Sequence, residues 1–287
     1  MDKNSSPRIY GVLGYPVKHS LSPSMHNAAF QALKINSEYR SFEVKPQDLE
    51  NFLKTLSGKD IYGLNVTIPY KEKVMPFLKK LSEEAKLIGA VNTVKVLRGR
   101  LEGFNTDGEG FLQHIRQDLG FSPQDKTIVI IGAGGAARAI SVYLSKNKPR
   151  LIAIYDADKT KAEALLNHLK ENFKDVEFKP ANSIAELNIQ DCHLLVNATP
   201  VGMKDTDPCL VDERRLHKDI LVYDLIYNPL ETKLLAQAKK AGAKVSNGLG
   251  MLLYQGMLSF KLWTGKDAPL KIMQLALEKG LQECNTR

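Results

Sequence analysis

The chain has 287 residues, of which 43% are hydrophobic and 25% are charged, and this length suits two domains of ordinary size. The composition is that of a globular protein and excludes a mainly disordered chain. The N-terminal segment lacks the apolar run of a signal peptide, and no stretch approaches the ~18 apolar residues of a membrane span. We therefore expect a soluble cytoplasmic protein with no membrane partner.

The net charge of +8 raises the question of an anionic partner. The lysines are, however, spread along the chain in short pairs such as Lys79 and Lys80, as on solvated helix faces. No helix-turn-helix or zinc module is recognisable, so no nucleic-acid partner is expected. The three cysteines are odd in number and form no CxxC pair, which indicates neither a disulfide framework nor a metal site. A monomer and a homodimer are both compatible with the sequence.

In chain order, the first part of the sequence alternates short β-type runs with helical patterns. Strands are predicted at residues 9–13, 39–44, 63–68, 90–97 and 100–105, and helices near 23–33 and 47–56. Arg98 and Gly99 form a turn-like pair between the last two strands. The pattern predicts an α/β domain over residues 1–112.

A second series begins with a continuous apolar strand at residues 127–131, followed by a helix at 136–145. Further strands are predicted at 151–155, 176–179, 194–198, 220–225 and 244–246. Uninterrupted apolar strands that alternate with helices favour a parallel sheet covered on both faces, so residues 113–250 are predicted to form a doubly wound, Rossmann-type α/β domain. Helical patterns at 251–264 and 269–281 predict that residues 251–287 pack back on the first domain.

A glycine-rich loop directly follows the strand at 127–131 and fits the pattern GxGxxG/A, with Ala137 as the third small residue. Gly132 permits a tight turn, Gly134 lets a pyrophosphate approach the backbone, and the next helix offers free N–H groups to the phosphates. A purely structural turn is the alternative, but the position between a strand and a helix favours dinucleotide binding. The residues predicted to contact the dinucleotide are Gly132, Ala133, Gly134, Gly135 and Ala136.

Asp156 ends the next strand, close to the spacing of about 20 residues after the first glycine that is expected of a ribose-binding carboxylate. Asp158 offers a second carboxylate to a cofactor in the same loop. It is equally suited to cap the helix that begins near Lys159, and the sequence leaves both roles open.

Two serines stand at the start of the first predicted helix, where Pro23 is expected as the first helical residue. Ser22 is then the N-cap, and capping alone accounts for it. Ser20 adds a second hydroxyl beside a helix N-terminus that would stabilise a bound carboxylate, so a substrate site and a structural role both remain open. His19 precedes Ser20, but no GxSxG elbow supports a hydrolytic nucleophile.

Lys71 follows the strand at 63–68, and Pro69 predicts a helix whose first turn contains this lysine. A helix N-terminus disfavours a cation, so this is an unusual place for a structural lysine and suits an amine that exchanges a proton. A solvated surface lysine is the alternative. Asp107 likewise precedes a helical pattern and is either its N-cap or the carboxylate that orients Lys71. Asn92 supplies an amide that could hold a polar substrate.

Together these motifs closely resemble, in order and spacing, those of the shikimate dehydrogenase family over nearly the whole chain. Eight ordered segments are far more specific than any one of them. The segments are Ser20-x-Ser22-Pro23-x-x-His26-Asn27, Asn65-Val66-Thr67-x-Pro69-x-Lys71, Ala90-Val91-Asn92-Thr93, Gly103-x-Asn105-Thr106-Asp107-Gly108, Gly132-x-Gly134-Gly135-Ala136, Asn197-Ala198-Thr199, Asp224-x-x-Tyr227-x-Pro229 and Asn247-Gly248-x-Gly250-Met251-x-x-x-Gln255-Gly256.

The resemblance implies a reversible, NAD(P)-linked reduction of 3-dehydroshikimate to shikimate in the synthesis of chorismate and the aromatic amino acids, with no metal. It implies that the first domain binds the substrate and carries the catalytic pair, Lys71 and Asp107, and that the second binds the nicotinamide cofactor. The residues that it implies for substrate binding are Ser20, Ser22, Thr67, Asn92, Asp107, Tyr227 and Gln255. Those that it places near the cofactor are Glu83, Leu225, Gly248 and Met251.

The main departure from the family is the loop after the second strand of the nucleotide domain, where Asp156, Ala157 and Asp158 replace the usual Asn-Arg-Thr. The family's arginine is a bidentate partner for the 2′-phosphate of NADP, and Ala157 cannot replace it. The two carboxylates would repel that phosphate, whereas Asp156 can bind free ribose hydroxyls. We therefore predict that NAD is favoured over NADP, unless Lys159 and Lys161 swing inward to bind the phosphate.

Two other functions remain open on the sequence alone. A quinate or quinate/shikimate dehydrogenase that uses NAD shares the fold, and Ser22 argues against it because a threonine there is associated with quinate users. A non-catalytic nicotinamide-binding regulator is a rival of another class. It would be expected to lack Lys71 or Asp107, and both are present.

Overall fold

The computed structural model describes residues 6–56 and 60–285. The chain divides into two compact units, one formed by Met1–Gly110 together with Leu252–Arg287 and the other by Phe111–Met251. Each unit is built around its own sheet, with parallel pairings in the majority. No helix in the described ranges is long and apolar enough to cross a membrane.

Strands and helices alternate along most of the chain, as the sequence predicts. The strands are β1 (Arg8–Gly14), β2 (Ser37–Glu43), β3 (Ile61–Val66), β4 (Lys80–Leu81), β5 (Thr93–Leu97), β6 (Arg100–Phe104), β7 (Thr127–Ile131), β8 (Leu151–Tyr155), β9 (Glu177–Pro180), β10 (Leu194–Asn197), β11 (Leu221–Asp224) and β12 (Lys244–Ser246). The helices are α1 (Ser22–Ala32), α2 (Leu49–Thr55), α3 (Glu83–Ile88), α4 (Asp107–Gln117), α5 (Gly135–Ser145), α6 (Lys159–Asn172), α7 (Lys233–Lys240), α8 (Leu249–Thr264) and α9 (Leu270–Asn285).

The sheet of the first unit has the strand order β2-β1-β3-β5-β6-β4. β1 pairs in parallel with β2 and β3, as the predicted β-α-β rhythm requires. β5 and β6 instead form an antiparallel hairpin, and β5 also runs antiparallel to β3. Arg98 and Gly99 both have positive φ values, of 50° and 73°, which two-residue hairpin turns favour. The predicted turn is thus confirmed, although β5 begins at Thr93 rather than at residue 90.

An aromatic cluster lies against this sheet and joins it to the C-terminal helices. Its members are Tyr10, His26, Phe30, Tyr39, Phe260 and Trp263. Trp263 of α8 donates from Nε1 to the carbonyl oxygen of Val94 at 3.0 Å and lies over Gly63, where a Cβ atom would collide with the indole ring. α9 packs against α1. The C-terminal helices are therefore part of the core of the first unit.

His26 of α1 is completely buried within this cluster. Its ring stacks on that of Tyr39, with centroids 4.4 Å apart and an interplanar angle of 7°. Neither ring nitrogen has a hydrogen-bond partner among the residues that the structure describes. Burial therefore lowers the pKa of His26 to about 3, because the imidazolium would lose its hydration without compensation.

Acid should destabilise the protein through His26. The unfolded chain binds a proton at this histidine as the pH falls below the ordinary pKa of 6.5, whereas the folded chain does so only near pH 3, so the free energy of unfolding decreases across this interval. His26→Phe removes the titrating group. We expect its free energy of unfolding, relative to wild type, to increase by about 2 kcal/mol between pH 7 and pH 5 in urea titrations. His19→Gln, at an exposed histidine, is the control, and equal pH dependence of wild type and His26→Phe would contradict the assignment.

The sheet of the second unit is parallel throughout, with the order β12-β11-β10-β7-β8-β9. β7 lies at the centre, and all of its residues are buried. The chain builds outward from β7 to β8 and β9 on one side and to β10, β11 and β12 on the other, which is the doubly wound arrangement expected from the sequence. In such sheets ligands bind at the carboxyl ends of the strands where the order reverses, so the loops after β7 and β10 flank the predicted dinucleotide site.

Candidate active site

The two serines of the first motif lie at the start of α1. The helix begins at Ser22. Its N-cap is Leu21, whose side chain makes no capping hydrogen bond. The prediction that Ser22 is the N-cap is therefore wrong by one residue, because Pro23 is tolerated throughout the first turn and does not fix where the helix begins. The Ser20 hydroxyl accepts from the backbone N–H of Ser22 at 3.3 Å and so takes over part of the capping role. Ser22 itself is buried, one helical turn before His26, whose ring stacks on Tyr39.

The helix predicted to start at Pro69 is not formed in the described structure. Residues 68–74 make successive turns and are followed by the 3₁₀ turn Met75–Phe77. The prediction is wrong because Pro76 has no N–H to continue a helix and disfavours the helical conformation at the residue before it. Lys71 thus lies in a turn, where its carbonyl oxygen accepts from the N–H of Val91 at 2.7 Å. The helix-dipole argument for its chemistry does not apply.

Lys71 and Asp107 are in direct contact. Lys71 Nζ lies 2.5 Å from Asp107 Oδ2, and the two side chains are 16% and 5% exposed. An ion pair with so little exposure is screened much less by solvent than a surface pair. The alternative that Lys71 is a solvated surface lysine is therefore wrong.

Asp107 is the first residue of α4, so it lies inside the helix and is not the N-cap. Its Oδ2 contacts Lys71, and its Oδ1 accepts from Asn92 Nδ2 at 2.9 Å. The backbone N–H of Asp107 is bound instead by the side-chain oxygen of Asn105 at 3.0 Å. The capping alternative for Asp107 is thus wrong, and its carboxylate is held where it orients Lys71.

Asn92 connects this pair to Gln255 of α8. Its Nδ2 donates to Asp107 Oδ1 at 2.9 Å and to Gln255 Oε1 at 3.2 Å, and its Oδ1 accepts from the backbone N–H of Thr106 at 2.8 Å. Because an N–H can only donate, the Asn92 amide has one orientation, with its nitrogen towards Asp107. Four predicted site residues, Lys71, Asn92, Asp107 and Gln255, thus form one contact group, called here the lysine cluster.

Thr67 follows β3 and lies beside the end of β1. Its backbone N–H donates to the carbonyl oxygen of Leu13 at 2.9 Å. Its methyl group lies against Gly14, where a Cβ atom would approach it to 2.5 Å. Gly14 begins the segment that leads to Ser20. The structure places Thr67 beside that segment, and its contact with a substrate stays a prediction.

The glycine-rich loop after β7 has the backbone that a bound phosphate needs. Gly132 has a φ of 113°, and a Cβ atom there would lie 2.9 Å from the carbonyl oxygen of Ala198. Gly134 is the N-cap of α5 and supplies no side-chain cap, and apart from its chain neighbours no described atom lies within 4 Å of the place of its Cβ. The space beside Gly134 at the N-terminus of α5 is therefore open, as an anion at a helix N-terminus requires. The residues present fit the phosphates of a dinucleotide.

Asp156, at the end of β8, binds the glycine-rich loop itself. Its Oδ2 accepts from the backbone N–H of Ala133 at 2.6 Å, and its Oδ1 accepts from that of Asp158 at 2.8 Å. Asp158 caps α6 by accepting from the N–H groups of Thr160 and Lys161, at 3.1 and 3.4 Å, so its capping role is confirmed. A contact of either carboxylate with a cofactor stays a prediction.

Leu225, Gly248 and Met251, which the family resemblance places near the cofactor, lie in the second unit. Gly248 is packed so tightly on the carbonyl group of Leu225 that a Cβ atom would collide with it. The backbone N–H of Met251 donates to the hydroxyl of Tyr223 at 3.3 Å, and His114 Nδ1 lies 2.7 Å from the same hydroxyl. Sequence reasoning missed Tyr223 and His114, because neither stands in a recognised motif and their contact joins positions 109 residues apart.

Asn197 and Asp224 belong to two of the recognised segments and support the turns after β10 and β11. Asp224 Oδ1 accepts from Asn197 Nδ2 at 3.0 Å, and Asp224 Oδ2 accepts from Thr232 Oγ1 at 2.7 Å. Asn197 Oδ1 accepts from the N–H of Thr199 at 3.0 Å. Burial raises the pKa of Asp224, and these hydrogen bonds act against that rise. The side chains of Asn197 and Asp224 therefore bind other groups of the protein.

Two further predicted residues, Tyr227 and Glu83, belong neither to the lysine cluster nor to the glycine-rich loop. Tyr227 follows β11 in the second unit and is half-buried. Glu83 begins α3 in the first unit, and its exposed side chain pairs with Lys86 at 2.7 Å. Their contacts with ligands stay predictions. Among the described residues, no group of three His, Cys, Asp or Glu side chains is arranged to hold a metal ion.

Comparison with known proteins gives the family. The family model of the shikimate dehydrogenase substrate binding domain matches residues 12–94, and that of the shikimate 5′-dehydrogenase C-terminal domain matches residues 248–278. A relative from Methanopyrus kandleri, named shikimate dehydrogenase (NADP(+)), is 46% identical over 283 residues, which cover 97% of this chain and 98% of the relative. The chain belongs to the shikimate dehydrogenase family.

Solved structures agree with membership of the shikimate dehydrogenase family. A shikimate dehydrogenase in complex with NADP+ matches with a TM-score of 0.90 and 40% identity, over 97% of both chains. A quinate dehydrogenase from Corynebacterium glutamicum in complex with NAD matches with a TM-score of 0.87 and 30% identity, over 96% of this chain and 100% of the other.

The resemblance inferred from the motifs is thus confirmed. As a member of the shikimate dehydrogenase family, the protein is an oxidoreductase that acts on a CH–OH group with a nicotinamide dinucleotide. The name of the Methanopyrus relative specifies NADP(+), as does that of a relative from Methanocaldococcus jannaschii, 42% identical over 96% of this chain and 97% of the relative. These names run against the predicted preference for NAD.

Proposed function

We propose that the protein interconverts shikimate and 3-dehydroshikimate reversibly, in the synthesis of chorismate and the aromatic amino acids. The observation that carries this proposal is the contact of Lys71 Nζ with Asp107 Oδ2 at 2.5 Å. Asn92 holds the other oxygen of the same carboxylate. An amine oriented in this way is suited to exchange the proton of a substrate hydroxyl. We assign substrate binding and catalysis to residues 1–112 with the helices of 251–287, and cofactor binding to residues 113–250.

When bound, the nicotinamide ring supplies the acceptor or donor of the hydride. In the reduction, the Lys71 ammonium gives a proton to the ketone oxygen and becomes the neutral amine, and in the oxidation the neutral amine accepts the proton of the reacting hydroxyl and becomes the ammonium. Asp107 keeps Nζ in place, and its carboxylate is prevented from rotating because Asn92 holds the other oxygen. The substrate's carboxylate and remaining hydroxyls are assigned to Ser20, Ser22, Thr67, Asn92, Asp107, Tyr227 and Gln255.

We further propose that the preferred cofactor is NAD. Asp156 and Asp158 place two carboxylates in the loop after β8, where the 2′-phosphate of NADP would lie in a Rossmann-type domain, and Ala157 between them offers no donor. Lys161, which could bind that phosphate, pairs instead with Asp158 at 3.5 Å. The names of the relatives argue for NADP, whereas the quinate dehydrogenase on the same fold was solved with NAD.

A spectrophotometric assay that crosses shikimate and quinate with NAD and NADP tests both proposals. We expect kcat/KM to be higher for shikimate than for quinate, and higher with NAD than with NADP. A higher kcat/KM for quinate would assign the protein to the quinate dehydrogenases. No turnover of either acid with either cofactor would overturn the enzymatic proposal in favour of a nicotinamide-binding regulator.

Ser20→Ala and Ser22→Ala should chiefly raise the KM for shikimate, because the contacts proposed for them are to its unreactive carboxylate. Loss of a hydrogen bond to a charged group costs about 1.5 to 3 kcal/mol, or about 10- to 150-fold in affinity. Ser24→Ala is the matched control, since Ser24 is an exposed serine of the same helix. Steady-state kinetics with each substrate varied in turn decide the matter. If only the affinity for the cofactor fell, the serines would not be the substrate's partners.

A further inference from the structure

Helix α1 holds Tyr39 of β2 through two residues of the first motif. Asn27 donates from Nδ2 to the carbonyl oxygen of Tyr39 at 2.9 Å and accepts from its N–H at 2.8 Å. His26 stacks on the Tyr39 ring, with centroids 4.4 Å apart. Ser22 and His26 are one helical turn apart and share a face of α1. The segment that carries the carboxylate-binding Ser22 therefore also fixes Tyr39.

The Tyr39 hydroxyl leads inward to Asn65 of β3. Asn65 Nδ2 faces the carbonyl oxygen of Asn92 at 3.3 Å, and a carbonyl can only accept, so Asn65 Oδ1 must be the atom that faces Tyr39. The Tyr39 O–H thus donates to Asn65 Oδ1, at 2.8 Å.

From Asn65 the hydrogen bonds continue to the lysine cluster. Asn65 Nδ2 donates to Ser259 Oγ at 2.9 Å, and Ser259 Oγ lies 2.7 Å from Thr93 Oγ1. Thr93 Oγ1 donates to Asn92 Oδ1 at 2.9 Å, and Asn92 Nδ2 donates to Asp107 Oδ1, also at 2.9 Å. None of these residues is more than 6% exposed. Away from water each bond is stronger, and a partner left unpaired is more costly.

We propose that Tyr39 is a positioning residue, which through Asn65 and Ser259 steadies the Asn92 amide that holds Asp107. The inference rests on the proposed function, because the position of Asp107 matters to turnover only if Lys71 exchanges the proton of the substrate. Tyr39 acts through these side chains rather than on the ligand. The continuous buried chain makes the geometry of proton exchange depend on a residue outside the lysine cluster.

Tyr39→Phe removes one oxygen and keeps the ring that stacks on His26. We expect kcat to fall about tenfold with a smaller change in the KM for shikimate, since a factor of ten corresponds to the loss of one or two buried hydrogen bonds. Tyr10→Phe is the matched control. Tyr10 is a buried tyrosine of the same aromatic cluster, and its hydroxyl interacts with Arg8, outside the chain of hydrogen bonds. This control should leave both kinetic constants unchanged.

A double-mutant cycle makes the test specific to the proposed connection. Tyr39→Phe and Ser259→Ala should be coupled, so that the double variant loses less in kcat/KM than the product of the single losses. Tyr39→Phe and Ser20→Ala should be close to independent. Ser259→Ala interrupts the chain at another point and should lower kcat more than it raises KM, which provides a second test if Tyr39→Phe does not fold.

Wild-type kcat and KM in folded Tyr39→Phe would overturn the inference and leave Tyr39 a purely structural residue. The same holds for wild-type constants in Ser259→Ala if Tyr39→Phe does not fold. If the wild-type protein itself does not oxidise shikimate, the proposed function fails, and the inference fails with it. Wild-type turnover with unaffected variants would overturn the inference alone.

Discussion

Replacement of Lys71 by alanine should lower kcat for shikimate oxidation by about 10²- to 10⁴-fold, which is the usual contribution of a positioned acid-base group. The nitrogen of Lys71 is fixed 2.5 Å from Asp107 Oδ2, so a single amine is placed to exchange the hydroxyl proton. A group that acts mainly in the transition state changes kcat far more than KM. Steady-state kinetics at saturating cofactor measure both constants.

Lys73→Ala is the matched control, because Lys73 is an exposed lysine two residues further along the same turns. It should leave kcat unchanged. Asp107→Asn keeps the size of the side chain and removes the charge that holds the amine, so it should also lower kcat. The double variant should lose little more than either single one, since the two residues act as a unit. Near wild-type turnover of Lys71→Ala would remove the lysine from the mechanism.

The parts of the fold that depend on short-range pattern were predictable from the sequence. β7 is a continuous apolar run followed directly by Gly132. This residue has a positive φ, which glycine adopts readily, so the glycine itself indicates a tight turn after the strand. The turn at Arg98 and Gly99 is of the same kind. Each of these features depends on two to six adjacent residues, so it can be predicted without knowledge of distant contacts.

The starts of the helices were less predictable, because a proline in a first turn fits several registers. Pro23 led to a helix that begins one residue late, and Pro69 led to a helix that does not form, since Pro76 interrupts it. The helix-dipole reason given for Lys71 is therefore wrong. Its predicted pairing with Asp107, which is 36 residues away in the sequence, is confirmed.

The supports of the site could not be predicted at all. Asn65 and Ser259 share a hydrogen bond across 194 residues of sequence, and no local pattern of a strand or a helix indicates that they meet. The family motifs named residues without separating those that face a ligand from those that hold another residue. His26 and Asn27 stand in the same segment as Ser20, yet both are used to hold Tyr39.

The double change Asp156→Asn, Ala157→Arg should move the ratio of kcat/KM for NAD to that for NADP towards NADP by about 10²- to 10³-fold. An arginine at position 157 supplies a bidentate donor for the 2′-phosphate, and charge-assisted hydrogen bonds of this kind contribute about 1.5 to 3 kcal/mol each. Replacing Asp156 also removes a carboxylate that would repel the phosphate. The measurement is kcat/KM for each cofactor at saturating shikimate, in wild type and in the double variant.

The single change Asp156→Asn separates the charge of this residue from its structural role. Asp156 Oδ2 accepts from the N–H of Ala133 in the glycine-rich loop, and the amide oxygen of an asparagine can accept the same bond. The loop should therefore persist in Asp156→Asn, and NADP should gain while NAD loses little. Asp156→Ala removes the bond as well, and should weaken both cofactors. A wild-type preference for NADP, or an unchanged ratio in the double variant, would mean that these carboxylates do not face the 2′ position and that the NAD proposal is wrong.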